Sequence, residues 1–177
     1  MQRTVMLFCS SLFFASHFCA AHAGSVMKDT TLGGLRIELH VMPAEPFYSR
    51  KEITSQNIRA GMLVVGGAPP VGLHTKPSPD HHLVIHVYDT KSGKAVTNAR
   101  VRISFRSLGI SPGHPTNVPV AIMEAIGKGE QSTHYGNNVI MPDGSYSVAI
   151  VINRQKVTFT VALSDSSISS MGGMDMH

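Results

Sequence analysis

The chain has 177 residues with 15 Lys plus Arg against 11 Asp plus Glu, ten histidines, ten methionines and two cysteines. A net charge of +4 is a slight excess, and the one strand face that gathers arginines, Arg100, Arg102 and Arg106, fits a solvated outer face, so nucleic-acid binding is not expected. The length suits one domain with its own core.

Arg3 opens a short positive stretch, Val5 to Phe18 is mostly apolar, and Ala21-His22-Ala23 fits the small-x-small rule for signal cleavage. We read residues 1–23 as a secretory signal peptide, since the apolar run is shorter than the roughly 20 residues a membrane span needs. No membrane span is expected after cleavage. Cys9 and Cys19 both lie in this segment, so the chain from Gly24 carries no thiol and no disulfide. Only His17, His22, Met1 and Met6 leave with the signal, and the exported part keeps eight histidines and eight methionines.

From Gly33, Leu35, Ile37, Leu39 and Val41 alternate with Arg36, Glu38, His40 and Met42, the period of a half-buried strand that Pro43 and Pro46 end. Ser49 and Glu52 form a capping-box pair, with Tyr48 and Ile53 at staple positions, and predict a short helix ending before Gly61. Met62 to Val65 reads as a short apolar strand closed by a Gly/Pro-rich loop. "HHLVIHVYD" places Leu83, Ile85 and Val87 on one strand face and His82, Val84, His86 and Tyr88 on the other. In "NARVRISFR", Ala99, Val101, Ile103 and Phe105 point inward, and Arg100, Arg102 and Arg106 form what we read as a solvated outer face. "VPVAIM" predicts a further strand, "MPDGSY" a hairpin turn, and "YSVAIVI-NRQ-KVTFTVAL" a terminal hairpin. The whole predicts an all-β fold, an antiparallel sandwich of about seven to eight strands with one short helix, over residues 24–163. Residues 164–177 show no burial pattern and are expected to form a disordered tail, with Met171, Met174, Met176 and His177 as a small Met/His tract.

The sequence offers no nucleophile motif, no His-Glu-x-x-His and no glycine-rich phosphate cradle, so no enzymatic activity is expected. A metal site suits the composition better. Imidazole binds copper, zinc, iron and nickel, while thioether sulfur selects Cu(I). His82 and His86, four apart on a strand, are about 13 Å apart along it and are not expected to bind one ion together. Met123, at the end of an apolar run, reads by itself as a packed core residue. His134, in a polar approach to a turn, reads by itself as an exposed histidine.

"THYGNNV", preceded by a methionine ending an apolar strand, resembles the His-Tyr-Gly-x-Asn-Val segment of the small periplasmic proteins that accompany high-affinity iron permeases. "GGLRIELHVMPAEPF" and "DHHLVIHVYD" look like that family's opening strand and its ligand-bearing strand. The resemblance implies an immunoglobulin-like sandwich that binds copper, often as a homodimer, in iron transport. It implies metal ligands at Met123 and His134, aligns His86 with a family histidine, and puts His82 where the family has a carboxylate. An imidazole there lowers the negative charge of the site and favours Cu(I). The expected site is therefore His82, His86, Met123 and His134 holding a copper ion, with a membrane metal permease or another periplasmic transport component as partner. The alternative is an immunoglobulin-like interaction module without metal.

Overall fold

The computed structural model describes residues 25–109 and 113–164, so the signal segment and the Met/His tail lie outside the described residues. Eleven strands form two sheets. The larger sheet has the order β1-β2-β5-β9-β8-β4-β3. Its strands are β1 (Val26–Leu32), β2 (Leu35–Pro43), β3 (Phe47–Tyr48), β4 (Met62–Gly67), β5 (His81–Asp89), β8 (Ala121–Ala125) and β9 (His134–Val139). The smaller sheet runs β11-β10-β6-β7. It is built from β6 (Val101–Ser107), β7 (Thr116–Val118), β10 (Gly144–Ile152) and β11 (Gln155–Leu163).

The core forms because period-two alternation gives each sheet one apolar face. Ile37, Leu39, Leu83 and Ile85 of the large sheet pack with Ile103, Val148, Ile150 and Phe159 of the small one. The all-β sandwich expected from the sequence is present. The helix α1 (Arg50–Gln56) begins at the expected cap, Ser49 accepting from the Glu52 amide and Glu52 reaching back to the Ser49 backbone, and stops at Asn57 in the left-handed region.

Three details differ from the sequence reading. The strand count is eleven, because β1, β3 and β9 are added by pairing with neighbours and carry no apolar alternation of their own, and one expected strand divides in two. "VPVAIM" does not make one strand. Val118 pairs in the small sheet and Ala121 in the large one, with Pro119 and Val120 between them. "MPDGSY" is a crossover rather than a hairpin, since β9 pairs with β5 and β8 while β10 pairs with β6 and β11. Met141, on that crossover, is fully buried, and its N–H donates to the Asp80 carboxylate. No helix among the described residues is long and apolar enough to cross a membrane.

Candidate metal centre

The face of the large sheet that turns away from the sandwich core carries the histidines. Antiparallel register sets Glu38 opposite His86 and Met42 opposite His82 across β2 and β5, and His82 opposite Asn138 across β5 and β9. Across β8 and β9, Met123 stands opposite His134. Between these rows lie Val84, Gly136 and Ala121, which leave little side chain in the middle. A Cβ on Gly136 would meet the Leu83 carbonyl oxygen at 2.0 Å. Only glycine allows β9 to lie this close to β5.

The segment "EAIGKGEQST" between Met123 and His134 does not separate the two. It closes as the β8–β9 hairpin loop with one 3-10 turn, Glu130–Ser132, and returns His134 to face Met123. The Ser132 hydroxyl accepts from Ala125 N–H and donates to the Gly129 carbonyl, which fixes that loop.

The imidazoles are close together. The His134 ring lies 5.8 Å from that of His82 and 5.1 Å from that of His86, centroid to centroid. The spacing argument that kept His82 and His86 apart treated β5 alone, and His134 on the neighbouring strand is in reach of both. His82 and His134 are buried and His86 is half-buried. His81 points to the other side and sits 3.1 Å from Asp80.

Each ring has one nitrogen committed and one free. Asn138 Oδ1 accepts from Glu45 N–H, and His82 Nδ1 lies 3.0 Å from the same oxygen. That nitrogen must carry the proton, which leaves the lone pair on Nε2. The Ser132 carbonyl, 2.8 Å from His134 Nδ1, can only accept, so the same tautomer holds there. Both Nε2 atoms are buried without a hydrogen-bond partner, as is His86 Nδ1. Leaving such an atom unsatisfied costs about 1–3 kcal/mol. A neutral imidazole fixed through Nδ1–H to a carbonyl-type oxygen, with Nε2 bare, is how histidine is held to meet a metal ion.

Burial keeps these rings neutral. The pKa of His82 is pushed down to about 3, by desolvation first and by His134 nearby second. That of His86 also falls to about 3, from desolvation and then from His134, His40 and His82. His134 is lowered by burial, against the Ser132 carbonyl. Composition alone suggests that protons compete with metal as pH falls through the ordinary histidine range. In the folded protein that competition for His82 and His86 is displaced far into acid.

Met123 is fully buried and packs with Val84 and Ala121, flanked by Met42, Phe47, Met62 and Val64. Phe47 covers the His82 ring at 5.5 Å. The segment that carries Phe47 is held down by Asn138, which accepts from Glu45 N–H and donates to the Glu45 and Val71 carbonyls. Among the described residues no three His, Cys, Asp or Glu side chains are gathered so as to hold an ion by themselves. The thioether that stands nearest to the imidazoles by register is that of Met123, opposite His134.

The sequence reading passed over several residues. His40 lies 4.9 Å from His86, with its Nε2 3.5 Å from a Glu38 oxygen. Tyr88 stacks on His86 at 6.1 Å, and the Arg36 guanidinium lies over the Tyr88 ring while bonding Glu38. The signal was present, since His40 and Met42 share the outward face of β2. What it lacked was the knowledge that β2 adjoins β5.

Neither a family model nor a curated protein sequence matches the chain. A solved structure shares the fold. It is the copper-reconstituted P19 protein of Campylobacter jejuni, with a TM-score of 0.54 and 14% identity over 78% of this chain and 96% of that one. At that identity the likeness is one of fold.

Proposed function

We propose that the protein is an exported, periplasmic copper-binding protein that assists metal or iron uptake by delivering metal to a membrane permease, alone or as a homodimer, without turnover. The observation that carries this reading is the pair of buried, unpartnered Nε2 atoms on His82 and His134, each fixed in its tautomer through Nδ1, beside the Met123 thioether. Two imidazoles and a thioether make a neutral, soft donor set, which suits Cu(I) among the metals available to an exported protein. His86, with its free Nδ1 and its bond to the Thr133 backbone, stands as the further donor or as the neighbour that positions His134. The fold shared with a protein that takes up copper supports the same reading.

Elemental analysis of protein purified from its own compartment, together with Cu(I) titration of the exported chain, tests it. About one copper per chain is expected, with the affinity lowered on the order of tenfold or more in His134→Ala and in Met123→Leu. A wild-type protein that takes up no copper, zinc or iron, or variants that bind as wild type does, would overturn it.

A further inference from the structure

The outer face of the small sheet has a composition unlike the rest of the molecule. Its four strands contain no aspartate and no glutamate. Register places Lys156, Val151 and Arg102 in one row across β11, β10 and β6, and Thr160, Ser147 and Arg106 in another. Between them, Thr158, Ala149 and Ser104 form a row of short side chains. Arg100 and Arg154 stand at the strand ends beside Asn153. All five cations are exposed, and none forms an ion pair among the described residues.

These five residues account for the whole charge excess of the described residues. Those comprise fourteen Lys or Arg and nine Asp or Glu, so without the five the rest balances at nine against nine. The cations border open hollows of about 610, 520 and 290 Å³, floored in part by Ser104, Ala149 and Val151. Unpaired like charges concentrated on one face repel one another and create a field that an anion relieves.

We propose that this face is a docking surface for an extended, acidic segment of a partner protein. Four of the five cations are arginine, whose planar fork matches carboxylate oxygens in pairs. Arg102 and Arg106 are about 13 Å apart along β6, the distance between residues four apart in an extended peptide. The hydroxyls of Ser104, Ser147 and Thr158 offer backbone-scale hydrogen bonds on the floor. A lipid surface fits less well, because the exposed large apolar residues Met27, Val65, Leu108 and Ile140 do not line the hollows. Single-stranded nucleic acid fits less well, because among the described residues no exposed phenylalanine or tyrosine offers its bases a stacking platform.

The test is fluorescence anisotropy of the purified protein with a labelled peptide of about twelve residues alternating Glu and Ser. Binding that weakens as salt rises to about 0.5 M is expected. It should fall on the order of tenfold in Arg102→Gln/Arg106→Gln, and little in Lys28→Gln/Lys51→Gln, which removes the same charge from elsewhere. Circular dichroism checks that both pairs fold, and all four residues are exposed. Absence of binding at low salt, or an equal loss in the two pairs, overturns the proposal. So does tighter binding to vesicles containing phosphatidylglycerol or to an oligonucleotide of matched charge.

Discussion

Asn138 ties more of the candidate site together than any of its imidazoles does. One amide orients His82 and fastens the chain at Glu45, 93 residues away in sequence. Asn138→Ala should therefore lower stability by roughly 2–4 kcal/mol, since several buried donors and acceptors lose their partner together. Urea unfolding of the metal-free protein would show it, and a loss below about 0.5 kcal/mol would mean that water replaces the amide. Met123→Leu separates packing from ligation, because the swap conserves volume and costs less than about 1.5 kcal/mol. A midpoint near wild type with weakened Cu(I) binding is the expected pair of results. At this scale His82, Met123 and His134 stood out as candidates only through the resemblance, since each alone reads as an ordinary packed or surface residue. Asn138 was not, because its role depends on a loop that no local pattern connects to it.

The strand β9 shows where period-two reasoning fails. "HYGNNV" is polar in sequence, yet all six residues are buried. The chain tolerates this because β9 lies between β5 and β8, and because Asn137 and Asn138 are satisfied by backbone groups of neighbouring loops. Asn137, for example, donates to the Pro69 and Pro119 carbonyls and accepts from Val71 N–H. Strands with apolar alternation, such as β2, β5, β10 and β11, were readable from the sequence for the opposite reason, since their partners are supplied by the hydrophobic effect rather than by particular loops. Gly136 sits within β9, and Gly136→Ala would force a Cβ into the Leu83 carbonyl. We expect a loss of at least about 3 kcal/mol or failure to fold, together with loss of copper uptake. Soluble expression and thermal unfolding of this variant are the measurements, and a near-native midpoint would show that the strands have room to part.

For the molecule as a whole, the depressed histidines tie stability to pH. An unfolded imidazole takes up its proton near pH 6.5, while His82 and His86 in the fold resist until about pH 3. Between those limits the unfolded chain binds more protons, so stability falls as pH falls from about 6.5 toward 3 and levels off below. Both rings steepen the fall in that window. The metal-free protein should lose thermal stability steadily from pH 7 to pH 4, and the copper-loaded protein should lose less, since the ion binds only the folded, neutral form. Parallel melting curves for the two forms across that range decide the matter. The imidazole cluster and the arginine face lie on opposite outer sides of the sandwich, with the whole apolar core between them. On the two proposed assignments, a chain docked through its arginine face keeps the imidazole side away from the partner, so attachment and metal exchange need not take turns.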